Sequence, residues 1–370
     1  MSSLQQHDIP ADIACCHDYE RYAEQILPQP HWHYIAGGSG NESTLKANNI
    51  VFDKFGLQQT LLPDINQINT RVMLNSERHE NPILVAPIAY QQLAHQDGEL
   101  ATVQAANAQD ISMVLSTLSS TSLEQVAQYQ TSQPLWFQLY IQPDKEHTYD
   151  LIKRAEQAGY TSLVITLDAP INGLRNREQR HQFSLPEHIQ AQNLQPYSQS
   201  VSNQAATGLS SQQVMLSRLL AQSPRWKDIS DIIANTRLSV YLKGILTVSD
   251  AKKAKELGAA GIIVSNHGGR ILDGVPTSIE MLPLIRQAVG HDIEILCDSG
   301  IRSGSDIFKA LALGANSALV GRPVIYGLAT AGAMGVAHCL RLLKDELQLT
   351  MALTGCASIS DITIDKIRLP

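Results

Sequence analysis

The sequence predicts an α/β protein: a (β/α)8 barrel of the TIM type, with an N-terminal helical extension and a mobile loop after the fourth strand. Three observations support this fold. From about residue 80 onward, short apolar runs alternate with helical patterns, and eight such units follow one another. The runs are almost continuously apolar, which is typical of parallel strands buried on both faces. The length of 370 residues accommodates a barrel of about 250 residues together with additions.

The eight predicted strands define the barrel. They span residues 83–88, 111–117, 135–141, 162–168, 240–245, 261–266, 293–298 and 317–321. Amphipathic helices are predicted between them, for example at residues 98–109 and at 248–257, where Thr247 precedes the helix as its N-cap. Eight such units in series favour a closed barrel over an open doubly wound sheet.

Two segments do not follow this repeat. Residues 1–80 contain helical patterns at 19–27 and 43–49 within irregular chain, and residues 181–225 are polar and rich in Gln and Ser. The second segment follows the fourth strand, which places it at the catalytic rim and favours a lid over a tolerated surface insertion. We therefore predict a single domain over residues 1–370, with an arm at 1–80, a barrel at 81–370 and a lid loop at 181–225.

The composition excludes several other classes of protein. Hydrophobic residues make up 44% of the chain and charged residues 17%, unlike a disordered polyelectrolyte. The net charge of −7 argues against a nucleic-acid partner, because phosphate binding needs clustered basic residues. No apolar run reaches the roughly 18 residues that span a bilayer, and no signal peptide is recognisable, so we expect no membrane partner. The five cysteines form neither a disulfide framework nor a metal motif, which predicts a cytoplasmic protein without a metal.

Polar residues are concentrated at the carboxyl ends of the predicted strands, where barrels of this type carry their chemistry. A single buried His or Lys is usually structural, whereas a ring of such residues at one end of successive strands indicates an active site. The ring comprises Gln138 and Tyr140 at the third strand, Thr166, Asp168 and Arg175 at the fourth, Lys243 at the fifth, Ser265 to Arg270 at the sixth, Asp298 to Arg302 at the seventh, and Gly321 and Arg322 at the eighth.

The last two strand ends predict a phosphate site. Asp298-Ser299-Gly300 and Gly321-Arg322 are glycine-containing turns, and Arg302 and Arg322 supply bidentate donors. Phosphate sites in this fold are often formed by the loops after strands seven and eight and a helix N-terminus. The alternative is that both are only tight βα turns.

The run S-N-H-G-G-R-I-L-D at residues 265–273 resembles the FMN-dependent 2-hydroxy acid oxidases and dehydrogenases, a family that includes lactate, glycolate and hydroxymandelate oxidases. The resemblance extends from about Tyr19 to Ile364. It passes through A-P-I-A-Y at 86–90, A-H-Q-D-G-E at 94–99, W-F-Q-L-Y at 136–140, L-K-G-I at 242–245 and F-K-A-L-A-L-G-A at 308–315. The resemblance implies an FMN-binding barrel, with the flavin phosphate on the loops after strands seven and eight, and assembly as a homotetramer.

The resemblance also implies a role for each matched residue. His267 resembles the catalytic base, and Asp168 resembles its carboxylate partner. The substrate contacts implied are Arg270 and Tyr34 at the carboxylate, Arg175 at the rim and Tyr140 at the hydroxyl or carboxylate, with Lys243 near flavin N1 and O2. The other cofactor contacts implied are Ala86, Pro87, Ile88, Ala89, Ser116, Gln138, Thr166 and Ser265 around the flavin, and Asp298, Gly300, Arg302, Gly321 and Arg322 toward the phosphate.

These residue types suit the oxidation of a 2-hydroxy acid to a 2-oxo acid. A histidine accepts a proton near neutral pH, and a neighbouring carboxylate orients it and stabilises its cationic form. An arginine holds a carboxylate through two parallel hydrogen bonds. A lysine stabilises the negative charge that develops on the flavin. We therefore predict an FMN-dependent (S)-2-hydroxy-acid oxidase that acts on an L-2-hydroxy acid.

The substrate and the electron acceptor are defined less closely. Leu118 and Tyr90 stand where glycolate oxidases carry Trp and Met, so that a lactate-like and an aromatic 2-hydroxy acid both remain candidates. The loop after strand four is polar and no haem domain precedes the barrel, so O2 is the expected acceptor and hydrogen peroxide the expected product. The alternatives are an L-lactate or mandelate dehydrogenase and a lactate 2-monooxygenase, or, from other classes, a flavin isomerase and a non-catalytic barrel.

Overall fold

The computed structural model describes residues 8–131, 133–200 and 223–369. In this part of the chain eight parallel strands form a closed barrel, as predicted. Each strand pairs with the next one along the chain, and the last pairs with the first. The strands are β1 Ile83–Val85, β2 Ser112–Ser116, β3 Leu135–Leu139, β4 Ser162–Thr166, β5 Ser239–Ile245, β6 Gly261–Val264, β7 Glu294–Cys297 and β8 Ser317–Val320.

The barrel strands are buried on both faces, which is why their apolar runs are almost continuous. Every residue of β2, β3 and β4 is buried, and alternate side chains point into the barrel or toward the surrounding helices. Each strand begins within one residue of its predicted start, but several end two or three residues early. Those last predicted residues, which include the polar Tyr140, Asp168 and Ser265, belong to the loops at the barrel mouth.

Helices cover the outside of the barrel. Two predicted helices are found at Gly98–Ala108 and Val248–Glu256, and Thr247 caps the second by accepting a hydrogen bond of 3.1 Å from the Asp250 N–H. The helices are α1 Asp18–Ile26, α2 Gln29–Ala36, α3 Ser43–Ile50, α4 Gly98–Ala108, α5 Leu123–Ala127, α6 Lys145–Gln157, α7 Asn176–Arg180, α8 Trp226–Asn235, α9 Val248–Glu256, α10 Ser278–Val289, α11 Gly304–Ala312 and α12 Arg322–Thr354.

Helix α12 is long and apolar enough to cross a membrane, but 78% of its most apolar 18-residue stretch is buried inside the protein. A buried core helix can have the same length and composition. The helix is also divided, because Ala331 and Gly332 have non-helical backbone dihedrals. Its buried face packs against α4, α11 and α1.

The N-terminal arm contains more regular structure than the sequence predicted. Helices α1 and α3 match the predicted ones, but α2 was not predicted. Pro30 lies at its second position, where a missing N–H is tolerated. The arm also contributes two short antiparallel strand pairs, Val72–Leu74 with Glu77–His79 and Gly56–Leu57 with Ile367–Arg368.

The hairpin formed by Val72–Leu74 and Glu77–His79 closes the bottom of the barrel. Leu74 belongs to the same buried cluster as the inward-facing side chains of the strands. His79 is 1% exposed, and its Nδ1 lies 3.0 Å from the Ser112 hydroxyl. Burial lowers the pKa of His79 to about 4, so the ring is neutral in the folded protein.

We expect the buried His79 to make the fold acid-sensitive. The unfolded chain protonates this ring near pH 6.5, whereas the folded protein resists protonation until about pH 4. Stability therefore falls as the pH drops through this window, by about 2 kcal/mol between pH 7 and pH 5 for this group. Urea unfolding of the wild type and of His79→Gln at both pH values tests this, and the variant should lose less stability. Equal losses in the two proteins would contradict the assignment.

The loop after β4 contains α7 and a 3-10 helix at Gln192–Ser200 before it reaches α8. Of the predicted lid at 181–225, residues 201–222 lie outside the described residues. The preceding part is firmly attached to the barrel, because the buried Asn193 accepts a hydrogen bond of 2.7 Å from the Leu123 N–H and donates to the Ser116 and Thr117 carbonyls at 3.3 Å. The division into arm, barrel and lid stays a prediction.

Candidate active site

A cavity of about 640 Å³ lies at the carboxyl ends of the barrel strands. The structure brings most of the predicted site residues together in its wall. Asp168 and Ser265 are outside this lining. The predicted residues that line the cavity are Tyr34, Ala86, Pro87, Ile88, Ala89, Ser116, Gln138, Tyr140, Thr166, Arg175, Lys243, His267, Arg270, Asp298, Gly300, Arg302, Gly321 and Arg322.

A row of polar side chains crosses the ends of β2, β3 and β4. The side-chain oxygen of Gln138, Oε1, accepts a hydrogen bond of 3.2 Å from the Ser116 hydroxyl. The side-chain nitrogen of Gln138, Nε2, donates one of 3.0 Å to the Thr166 hydroxyl. These partners define which way the amide points. The row therefore presents hydrogen-bonding groups in fixed positions to the cavity.

Lys243 extends this row at the end of β5. Its ammonium group lies 2.8 Å from an Asp298 carboxylate oxygen and donates to the Ser265 hydroxyl at 2.8 Å. The lysine side chain is 5% exposed, so its charge is compensated inside the protein. Gly244 follows it with φ of +98°, and a Cβ there would lie 2.5 Å from the Asp168 Cβ. The glycine in the L-K-G-I motif thus makes room for Asp168.

His267 and Asp168 form a hydrogen-bonded pair, with 2.9 Å between the imidazole Nδ1 and the carboxylate Oδ1. Burial alone would raise the pKa of Asp168, but His267 and Lys243 lower it below its usual value, so Asp168 is an anion. His267 has φ of +57°, and its N–H donates to the Ser265 hydroxyl at 3.0 Å. Because Nδ1 faces Asp168, the imidazole Nε2 is left for a ligand in the cavity.

Arg270 is fixed mainly by the arm. One of its terminal nitrogens donates to the carbonyls of Tyr34 and Gly37 at 2.7 and 2.9 Å, and its guanidinium carbon lies 5.1 Å from the centre of the Tyr34 ring. Burial, with a smaller contribution from Arg175, lowers the pKa of Arg270. The end of α2 therefore contributes two kinds of contact to Arg270: the aromatic ring of Tyr34 and the backbone carbonyls of Tyr34 and Gly37.

Glu178 is a charged residue of the site that the sequence did not predict. Its carboxylate accepts a hydrogen bond of 3.1 Å from Arg175 and lies 3.4 Å from a terminal nitrogen of Arg270. The sequence could have indicated this residue, because Glu178 follows Arg175 by three positions and residues at that spacing face each other on a helix turn. The structure thus pairs Asp168 with His267, and Arg175 with Glu178.

The predicted phosphate end of the cavity contains Arg302 and Arg322. The Arg322 guanidinium donates to the carbonyls of Ile35, Gly37 and Gly268 at 2.8 to 3.1 Å, and burial lowers its pKa to about 9. Arg322 therefore carries a charge at neutral pH and ties the arm to the loop after β6. At Gly300 a Cβ would lie 2.1 Å from the Asn48 carbonyl oxygen, so the close neighbour of this glycine is helix α3.

Apolar side chains complete the wall of the cavity. Tyr90, Leu118, Ile141, Leu194 and Ile271 all line it. Tyr90 has φ of +52°, and its N–H donates to the Leu118 carbonyl at 3.0 Å, which holds the two residues at adjoining positions. The sequence analysis did not identify Ile141, Leu194 or Ile271 as site residues, although Ile271 lies in the S-N-H-G-G-R-I-L-D run, because their place in the wall follows from the fold.

The fold and the site together define a class of protein: a barrel with a hydrogen-bonded His–Asp pair and several arginines at a cavity that lies at the strand ends. The residues present fit FMN. The row Ser116–Gln138–Thr166 offers donors and acceptors to the polar edge of a flavin ring. Among the described residues, five Lys and Arg side chains and two carboxylates line the cavity, which leaves an excess positive charge suited to a phosphate.

Comparisons with known proteins agree with this class. The model of the FMN-dependent dehydrogenase family matches residues 23–369. An L-lactate oxidase of Alicycliphilus denitrificans is 46% identical over 96% of this chain and 97% of its own length. A 4-hydroxymandelate oxidase of Amycolatopsis orientalis is 42% identical over 92% of this chain and 94% of its own. A crystal structure of mandelate oxidase with benzoyl-formic acid superposes with a TM-score of 0.85, at 40% identity, and covers 96% of this chain and 97% of that one.

The chain belongs to the FMN-dependent dehydrogenase family. The family resemblance stated from the sequence motifs is confirmed, and so is FMN as the cofactor of the family. The roles of the individual site residues stay predictions.

Proposed function

We propose that the protein oxidises an L-2-hydroxy acid to the 2-oxo acid with FMN as its cofactor. The observation that carries this proposal is the arrangement of a proton acceptor beside a carboxylate-binding group: His267, which pairs with Asp168 at 2.9 Å, and Arg270 line the same cavity. A proton acceptor and an anion clamp are the two groups that this half-reaction needs from a protein. The relatives named above as lactate and hydroxymandelate oxidases support the same reaction.

The chain's own residues bind and orient the substrate and hold the proton. Arg270 and Tyr34 bind the substrate carboxylate, and Arg175 adds a second cation at the rim. Tyr140 contacts the hydroxyl or the carboxylate. The Nε2 of His267 accepts the proton, and the anionic Asp168 stabilises the resulting imidazolium. FMN bound in the cavity would supply the acceptor for the two electrons and for the hydrogen of the α-carbon, which completes the conversion of the alcohol to a ketone.

The remaining predicted residues hold the cofactor in this proposal. Lys243 places a buried positive charge where the flavin accumulates negative charge, and Ser265 and Asp298 keep its ammonium group in position. The ring contacts proposed are Ala86, Pro87, Ile88, Ala89, Ser116, Gln138 and Thr166, and the phosphate contacts proposed are Gly300, Arg302, Gly321 and Arg322.

The apolar wall supports a substrate larger than glycolate. Leu118 occupies less volume than the Trp expected of a glycolate oxidase, and the Tyr90 N–H bound to its carbonyl at 3.0 Å keeps the two residues together. A lactate-like and an aromatic 2-hydroxy acid are therefore both proposed as substrates.

We expect the FMN-loaded protein to lose its yellow flavin absorbance when it is mixed anaerobically with L-lactate or (S)-mandelate. D-lactate is the matched control, because it presents the same carboxylate with the opposite configuration. A colourless purified protein that does not take up FMN, or a flavin that stays oxidised with every L-2-hydroxy acid, would contradict the proposed function.

We propose O2 as the electron acceptor and hydrogen peroxide as the product. The polar character of the loop after β4 supports this, because an apolar segment in that loop is the feature expected of a membrane-bound dehydrogenase. A peroxide assay during aerobic turnover distinguishes the alternatives. A dehydrogenase needs an added dye and forms little peroxide, whereas a lactate 2-monooxygenase forms acetate and CO2.

We further propose a homotetramer located in the cytoplasm. A group of exposed leucines near the end of α12 supports self-association. Leu61 and Leu62 are 80% and 97% exposed, and Leu353 is 51% exposed. These leucines are neighbours, because the Thr60 N–H donates a hydrogen bond to the Leu353 carbonyl. None of the five cysteines forms a disulfide in the structure, which agrees with the proposed reducing compartment. A solution mass of four times the 40.5 kDa chain tests the assembly, and cell fractionation tests the location.

A further inference from the structure

Glu178 places an internal carboxylate among the arginines of the substrate site. It lies on α7, at the start of the loop after β4, and its side chain is 15% exposed. One carboxylate oxygen accepts a hydrogen bond of 3.1 Å from Arg175 and lies 3.4 Å from a terminal nitrogen of Arg270, and the other lies 3.5 Å from Arg175. Glu178 also lines the cavity, so a ligand carboxylate bound by the same arginines comes close to it.

The contacts of the two arginines show that they depend on Glu178 to different extents. Arg270 is anchored without it, through the Tyr34 and Gly37 carbonyls at 2.7 and 2.9 Å. Arg175 relies on it more, because the Arg175 Nε is buried without a hydrogen-bond partner among the described residues. Glu178 therefore compensates one of the two arginine charges, and the group of Arg175, Arg270 and Glu178 retains one uncompensated positive charge.

We propose that Glu178 is a specificity-determining residue, which restricts the substrate site to ligands with a single carboxylate. This inference rests on the proposed function of the cavity, since it concerns how the same site reads the charge of its substrate. With Glu178 ionised, the two arginines and the glutamate carry one net positive charge, which a monocarboxylate balances. A second ligand carboxylate near Arg175 would meet the Glu178 anion at short range, where like charges repel and water screens them little because the Glu178 side chain is largely buried.

The test uses isosteric removal of the charge. Glu178→Gln keeps the shape of the side chain and leaves Arg175 and Arg270 with two uncompensated positive charges. The affinities of acetate and malonate for the FMN-loaded holoenzyme are measured from the change in flavin absorbance on titration. We expect Glu178→Gln to raise the preference for malonate over acetate by about tenfold, an effect of the size that one nearby charge produces.

Two further variants control this experiment. Glu178→Asp keeps the charge, and should retain the wild-type preference for acetate over malonate. Glu42→Gln removes a negative charge from a different ion pair, that of Glu42 with Arg177. Arg177 is on the same helix as Glu178, but neither Arg177 nor Glu42 lines the cavity. Glu42→Gln should therefore leave the preference between acetate and malonate unchanged. Thermal unfolding and FMN content show that each variant is folded.

Each outcome decides the proposal. An unchanged preference in Glu178→Gln, or an equal change in Glu42→Gln, overturns it. Weaker binding of both anions in Glu178→Gln also overturns it, because Glu178 would then position the arginines instead of selecting between ligands. Failure of the proposed function has a different signature: the wild-type holoenzyme binds acetate but is not reduced by any L-2-hydroxy acid. The anion titration remains decisive for Glu178 in that case, because it requires no turnover.

Discussion

Replacing His267 by glutamine is expected to leave FMN bound and to nearly abolish turnover. Glutamine can still donate a hydrogen bond to Asp168, which lies 2.9 Å from the imidazole Nδ1 in the wild type, but it cannot accept a proton near neutral pH. Loss of a general base slows a reaction by about 10² to 10⁴-fold. Since Lys243 and the Ser116–Gln138–Thr166 row remain in place, the proposed cofactor contacts should survive.

The measurement is the rate of anaerobic flavin reduction by L-lactate in a stopped-flow instrument, at matched FMN content. His291→Gln is the control, because His291 is exposed and lies outside the cavity lining. Reduction of the His267→Gln flavin at the wild-type rate would refute the assignment of the base. Loss of FMN from this variant would instead point to a mainly structural role for His267.

The barrel could be predicted from the sequence because its strands are buried on both faces. Residues such as Val114, Trp136 and Val164 fill the interior while their neighbours pack against helices, so the apolar runs are continuous and easy to recognise. Polar residues at the ends of these runs then marked the mouth of the barrel. Once the strands are known, the position of Gln138, Thr166 and Lys243 follows from the topology.

The contacts of the arm were less predictable, because they arise between segments distant in the sequence. Helix α2 is short and begins next to Pro28, so its own sequence gives little indication of a helix. The hydrogen bond between Arg270 and the Tyr34 carbonyl joins residues 236 positions apart. Glu178 and Arg270 are 92 positions apart, and only the closed barrel brings them together.

The predicted phosphate arginine Arg322 illustrates a further limit of sequence reasoning. A Gly-Arg pair after the last strand correctly indicated a cation in the wall of the cavity. The sequence could not indicate that three backbone carbonyls, those of Ile35, Gly37 and Gly268, also bind this guanidinium. One residue can thus anchor the arm and still contribute charge to the cavity, because a guanidinium has five N–H donors.

Replacing Arg270 by lysine is expected to raise KM and lower kcat together, with a combined loss of about a hundredfold in kcat/KM. Lysine keeps the positive charge but cannot form two parallel hydrogen bonds to a carboxylate. If its ammonium group keeps the two bonds to the Tyr34 and Gly37 carbonyls, only one N–H donor is left for the substrate. Both binding and orientation therefore suffer, and a loss of about 3 kcal/mol corresponds to the disruption of one or two charged hydrogen bonds.

The decisive comparison is between lactate and lactamide, which lacks the negative charge. If Arg270 holds the substrate carboxylate, Arg270→Lys impairs the oxidation of lactate far more than that of lactamide. A purely structural role through the Tyr34 and Gly37 carbonyls would impair both substrates equally. Arg177→Lys, which conserves the charge in the ion pair with Glu42, serves as the control and should leave both activities unchanged. Unchanged lactate kinetics in Arg270→Lys would rule out the clamp, since the charge alone would then be sufficient for binding and orientation.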